Sequence, residues 1–170
     1  MAHALVDQLR FTRSEWLRGL EGVSEEDGTY HPGQMNCISW IVGHHAAQEH
    51  VFWLERAQSK MLFPQLNEMF KVNAPMSTPA LNEMMDIWRK VTAAADVYLD
   101  TLTTEKLKGE LPLGLRPDTP QRIVGSALQR VIYHYWYHVG EIQSVRQMLG
   151  QKNLPAYVGK IDTQAPYRPE

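Results

Sequence analysis

The sequence predicts an all-α protein, a four-helix bundle with long crossover connections and an irregular C-terminal tail. Three observations carry this. Four long segments repeat apolar residues at intervals of three and four, the period of a helix with one buried face. No segment alternates apolar and polar residues over the length of a strand. Connections rich in Gly and Pro separate the four segments, and two of the three are long enough to cross over the bundle rather than turn back. A chain of 170 residues can bury a core without disulfides, and residues 1–170 read as one domain, with the bundle over about residues 3–150 and the tail over 151–170.

The first helix begins near residue 3 and carries Leu5, Leu9, Phe11, Trp16, Leu17 and Leu20, with Gly19 and Gly22 marking its end. The following "SEEDGTYHPGQMN" reads as loop, and Asn36 is the expected N-cap of the second helix, "CISWIVGHHAAQEHVFWLERAQ", which runs to about Ser59. A connection containing Pro64 and Pro75 leads to "STP", where Thr78 is placed to cap and Pro79 to open the third helix. That helix presents Leu81, Met84, Met85, Trp88, Val91, Ala95, Tyr98 and Leu102. After "GELPLGLRPDTP", Asp118 or Thr119 caps and Pro120 opens the fourth helix, which ends at Gly150. The tail holds three prolines and no helical pattern, and reads as an extended strap or a partly mobile end.

Lys plus Arg number 17 against 19 Asp plus Glu, without long runs of one sign, so no electrostatic footprint for nucleic acid or anionic lipid is present. Small molecules or protein partners are expected instead. The single cysteine, Cys37, cannot close an intramolecular disulfide and reads as an inert thiol. Asp7, Arg10 and Arg13 interrupt any signal-peptide core, and no uncharged apolar run reaches the roughly 20 residues of a membrane span. The expectation is a cytoplasmic protein.

The histidines carry the chemistry. In "YHYWYHVGE", residues 133–141, His134 and His138 stand four apart, about 6 Å along a helix axis and nearly one above the other, so both can aim at one point. They fall on the stripe of Val124, Ala127, Val131, Ile142, Val145 and Leu149, which is the core face. Neutral imidazoles there need partners for their nitrogens, and either a shared divalent ion or hydrogen bonds to carbonyls and carboxylates would serve. A metal needs a third ligand, which "WIVGHHAAQEH" offers as His44 or His45; periodicity does not choose between them. His50, His3 and His31 read as surface residues. Three imidazoles with a position left for an exogenous ligand are the arrangement of a catalytic zinc site, and nickel or iron accepts the same donors. Glu141, one turn past His138, is a candidate further ligand, hydrogen-bond acceptor behind an imidazole, or general base, beside the plain reading of an exposed helix charge. Arg146 is a candidate for binding an anionic group of a substrate, beside an ordinary salt bridge. Tyr133, Trp136 and Tyr137 cover other sides of that helix and suggest a second surface to bury.

Two blocks, "HPGQMNCISWIVGHHAAQE" and "HYWYHVGEIQSVRQMLG", resemble the DinB-like (DinB/YfiT) superfamily of metal-binding four-helix bundles, over roughly residues 3–150. In that pattern a tryptophan or other apolar residue precedes the first histidine by about a turn, and the late helix carries two histidines four apart, then an Arg and a closing Leu-Gly. The resemblance implies His44, His134 and His138 as ligands of a divalent cation, commonly zinc or nickel, and frequent homodimers. The doubled histidine departs from the apolar residue common after the ligand and keeps His45 as the alternative. Similar proteins include thiol-dependent S-transferases and an isomerase using low-molecular-weight thiols, so the resemblance implies a metal-dependent thiol transferase or hydrolase with such a thiol as cosubstrate. The competing expectation is a non-catalytic metal-binding or ligand-sensing dimeric bundle.

Overall fold

A computed structural model of the chain describes residues 2–168, which hold no strand. Residue 1 and residues 169–170, the ends of the expected domain, lie outside that range. Four long helices make the bundle: α1 (Ala4–Leu20), α3 (Ile38–Glu49, continued as a π-helix over His50–Arg56), α5 (Leu81–Leu99) and α7 (Val124–Met148). Short helices punctuate the connections, α2 (Glu25–Thr29), α4 (Gln65–Met69) and α6 (Thr104–Lys108), and α8 (Ile161–Gln164) adds one turn to the tail. No helix is long and apolar enough to cross a membrane.

The apolar stripes explain the packing. Leu9 and Trp16 of α1, Ile41 and Val42 of α3, Met84 and Val91 of α5, and Leu128, Val131 and Ile142 of α7 are all buried in one core. α1 packs most closely on α7 and α3 on α5. α5 and α7 follow one another among the four long helices yet are not close-packed neighbours, so the 100–123 connection, with α6 inside it, carries the chain across the bundle.

A polar seam ties the helices through the middle of this core. Arg13 Nε donates to Glu49 Oε1 at 2.8 Å, its Nη2 pairs with Glu49 Oε2, and its Nη1 donates to Asp96 Oδ1 at 2.7 Å. The Tyr135 hydroxyl donates to Glu49 Oε1 at 2.6 Å and accepts from Trp88 Nε1 at 2.7 Å. Burial works against the Arg13 charge, but the Glu49 carboxylate outweighs it and keeps the guanidinium protonated. Burial, reinforced by Glu49, pushes the Tyr135 hydroxyl well above its ordinary pKa and keeps it a donor.

Several predicted helix starts are displaced. α3 is capped by Cys37, not Asn36, and without a side-chain bond. α5 opens at Leu81, two residues past Pro79, because its cap is not local: the Glu25 carboxylate accepts the N–H groups of Leu81 (2.6 Å) and Asn82 (3.1 Å), while Thr78 Oγ1 pairs with His31 Nε2 at 2.8 Å. α7 begins at Val124 and not at Pro120, since the Pro120 carbonyl accepts from Arg56 Nη1 at 3.3 Å and Thr119 Oγ1 donates to Arg116 O at 2.8 Å, holding this stretch as turns. The predicted stop is present, with Gly150 at φ +76 just after the C-cap Leu149, in the left-handed region where glycine carries no Cβ penalty. The tail straps α1: the Arg18 guanidinium lies 5.1 Å from the Tyr157 ring centre and Gln8 Nε2 donates to Ala165 O at 2.7 Å.

His50 is a correction. It and its neighbour Glu49 are fully buried, not on the surface, because the helix widens into a π-turn at this point. In a π-helix the backbone hydrogen bonds span five residues, and His50 Nδ1 lies 2.8 Å from Glu55 Oε1, five residues on.

Candidate metal centre

α3 and α7 meet where their histidines face one another. His44, His134 and His138 each present one ring nitrogen, and the three nitrogens lie within 4.8 Å of one another. His44 Nε2 is 3.3 Å from His134 Nε2, which is 3.1 Å from His138 Nε2. The other face of each α7 ring is held from behind. His138 Nδ1 lies 2.6 Å from Glu141 Oε2, and His134 Nδ1 lies 2.9 Å from Gln48 Oε1. A carboxylate and an amide oxygen are acceptors, so both Nδ1 atoms carry the proton and both Nε2 atoms present a lone pair.

Two lone pairs facing across 3.1 Å repel one another unless a cation lies between them. Tetrahedral zinc with Zn–N bonds of about 2.0–2.1 Å sets its ligand nitrogens about 3.3 Å apart. The separations of 3.3 and 3.1 Å match that edge and the third is within 4.8 Å, so the donor set is compatible with a divalent ion. Burial, then the neighbouring imidazoles, pushes His44 down to about 3; burial and His138 lower His134 to about 4. At neutral pH both rings are in the uncharged form that a metal requires.

The surroundings separate His44 from His45. The His44 ring stacks on Trp40, one turn earlier, with centroids 4.8 Å apart and planes at 11°. His45 points deeper into the bundle, fully buried and stacked on Tyr135 at 4.0 Å and 4°, with neither ring nitrogen hydrogen-bonded to a described residue. Its ring centre is 5.0 Å from those of both His134 and His138, so it forms the inner wall of the cluster. Burial holds it neutral, far below its ordinary pKa. Glu141 sits behind His138 as an acceptor. Arg146 is buried two turns further on, where its guanidinium donates to the carbonyls of Gly19 and Glu21 and to Gln151 Oε1. Tyr133 and Tyr137 are 67% and 71% exposed at the flank of the cluster, Tyr133 sharing a cleft with His134 and the Tyr137 ring centre lying 4.9 Å from that of His138.

Gln48, Tyr135 and the residues around a neighbouring cleft were not singled out by the sequence. Gln48 had a signal, standing four residues after His44 on the same face. The cleft, of about 360 Å³, opens beside His44, with Val51, Phe52, Leu66 and Phe70 as its apolar walls and Asn67, Lys71 and Arg116 at its polar end. The Phe70 ring reaches the cleft by packing on Gly43, where a Cβ would overlap it and come within 2.6 Å of Met84 Sδ.

A sequence model of the DinB superfamily matches residues 8–142, a span that takes in α3 and α5 whole, most of α1 and α7, and all three converging histidines. No curated protein matches the chain. The matched span is most of the molecule, and the chain belongs to the DinB superfamily.

Proposed function

We propose that His44, His134 and His138 bind one divalent ion, zinc or nickel, and that the protein uses it for thiol transfer or hydrolysis on a small molecule. The observation that carries this reading is the pair of Nε2 lone pairs facing at 3.1 Å, with each Nδ1 proton engaged from behind. When bound, such an ion lowers the pKa of a coordinated water or low-molecular-weight thiol and provides a nucleophile near neutral pH.

The chain's own residues do the positioning. Glu141 fixes the His138 ring and its tautomer, Gln48 does the same for His134, and Trp40 holds the plane of His44. The stacked His45 and Tyr135 close the inner side against water, which leaves the clefts beside His44 and beside His134 as approaches for substrate. In this reading the role of Glu141 is to orient a ligand. Arg146, occupied by backbone carbonyls, is given no substrate role.

Cobalt substitution tests the enzyme reading. Azide or a small thiol such as 2-mercaptoethanol, titrated into the cobalt protein, is expected to change its visible spectrum by entering the coordination sphere. An unchanged spectrum contradicts an accessible catalytic ion. The second reading, a non-catalytic homodimeric bundle, is favoured by the exposed Tyr133 and Tyr137, and would give a dimer with a spectrum indifferent to both ligands.

A further inference from the structure

The cleft beside His44 has a cationic end built from buried parts. Arg116, from the connection before α7, pairs through Nε with Glu55 Oε2 and through Nη2 with Asn67 Oδ1. Glu55 is fully buried, and its Oε1 accepts from Asn67 Nδ2 at 2.9 Å and from His50 Nδ1 at 2.8 Å. The donor direction is fixed: His50 Nε2 accepts the N–H groups of Leu62 (3.1 Å) and Phe63 (3.0 Å), so its one proton is on Nδ1. Burial opposes the Glu55 charge, but the hydrogen bonds from Arg116 and Asn67 outweigh it and hold the carboxyl below its usual range. The backbone of the connection is pinned as well, by Leu115 N donating to Glu55 O at 3.0 Å and by Gly114 at φ +51, lying so close that a Cβ would overlap the carbonyls of Glu55 and Arg56.

A buried ion pair adds little stability compared with apolar packing of the same volume. Here a π-helical register, a histidine tautomer and an asparagine all converge to hold one guanidinium, whose side chain is still 29% exposed, at the mouth of a cleft. π-Helical turns recur at functional sites. Arg116 Nη1 makes no hydrogen bond among the described residues, and no acidic residue among them lines the cleft. Glu55 already balances Arg116, and Lys71 at the rim pairs with Glu68 at 2.8 Å, so what remains is one directional donor, Nη1, without net positive charge, which suits a single carboxylate and not a polyanion. The volume lies at the small end of the roughly 300–1,000 Å³ of ligand clefts.

We propose that the cleft takes a small amphipathic monocarboxylate, its carboxylate on Arg116 Nη1 and its apolar body between Val51, Phe52 and Phe70, with the far end toward His44. The identity of what that far end meets rests on the metal reading; the carboxylate subsite does not.

The test is calorimetric titration of 4-phenylbutyrate and of the matching alcohol, 4-phenylbutan-1-ol, into the zinc-loaded and metal-free protein, with zinc affinity measured in parallel. The carboxylate is expected to bind roughly tenfold or more tightly than the alcohol in both forms, as a charge-assisted hydrogen bond provides. That preference is expected to vanish in Glu55→Gln/Arg116→Gln, a pair that strands no buried charge. In Val51→Trp, which fills the cleft and leaves Arg116 in place, the affinity for 4-phenylbutyrate is expected to fall by roughly tenfold or more. Equal affinities for acid and alcohol, a preference that survives the Glu55/Arg116 change, or indifference to Val51→Trp overturns the inference. Zinc binding retained with no carboxylate preference refutes this inference alone; carboxylate preference retained with no zinc binding refutes the metal reading alone.

Discussion

Glu141→Ala isolates what holds a ligand in place from the ligand itself. The substitution removes the acceptor 2.6 Å from His138 Nδ1 and leaves all three converging imidazoles present. Without it the His138 ring can rotate, and its Nε2 becomes a weaker donor. Loss of such a partner costs about 10–100-fold in metal affinity, or about 1.4–2.7 kcal/mol. The Glu141 side chain is 19% exposed, so solvent screens part of its effect and the expected loss lies at the lower end, about tenfold. Glu141→Gln keeps an acceptor oxygen and should lose less. Gln48→Ala removes a neutral acceptor at 2.9 Å from His134 and should cost only about threefold. Competition for zinc against a chromophoric chelator at pH 7 reads all three, with circular dichroism confirming the fold. Unchanged affinity in Glu141→Ala refutes the orienting role. A loss of roughly a thousandfold or more would make Glu141 a ligand and contradict a purely three-imidazole site.

The remaining expectations bear on the scaffold. Arg13→Met strands the buried Glu49 carboxylate and should destabilise by about 3–5 kcal/mol in urea unfolding, while Arg13→Met/Glu49→Leu should recover part of that, the Tyr135 hydroxyl being left without its acceptor; more damage in the double variant than in the single would show that the stranded charge is not the cause. Gly43→Ala drives a methyl into the Phe70 ring and Met84 and should cost about 1–3 kcal/mol, read as a lower Tm; an unchanged Tm would mean that Phe70 is not packed there. The metal-free protein should lose stability on acidification. His44 and His134 are lowered from 6.5 to about 3 and about 4, so the unfolded chain binds protons that the folded chain refuses. The sign makes stability complete above pH 6.5 and falling below it, by up to about 1.4 kcal/mol per pH unit from His44 and by less from the half-buried His134, which solvent screens, down to about pH 4. Denaturation midpoints that do not change from pH 7 to pH 5 would contradict the burial of these imidazoles.

The long helices were legible because each carries its own periodic apolar stripe, and the core positions of α7 follow the stripe from Val124 to Val145. What escaped the sequence is non-local. The cap of α5 comes from Glu25, 56 residues away, where no pattern near Thr78 and Pro79 could announce it. His50, beside the charged Glu49 and late in its helix, reads as a surface residue, yet both are buried because Arg13 and Tyr135 engage Glu49 and Glu55 engages His50 from afar in the sequence or across a π-helical segment. His44 and His45 were indistinguishable by periodicity, since adjacent residues share the inward half of a helix. Their neighbours differ only in three dimensions, Trp40 against one ring and Tyr135 against the other. Arg116 gave no signal in its loop because its importance comes from Glu55 and Asn67, far away in the chain.

The central claim is a metal held by His44, His134 and His138, and its most direct measurement is the zinc retained per chain after dialysis, by elemental analysis, across single histidine-to-alanine variants. One zinc per chain in the parent protein and in His45→Ala, with loss in His44→Ala, His134→Ala and His138→Ala, is the expected result. Retention in any of those three, or loss in His45→Ala with His44→Ala unaffected, would contradict the assignment.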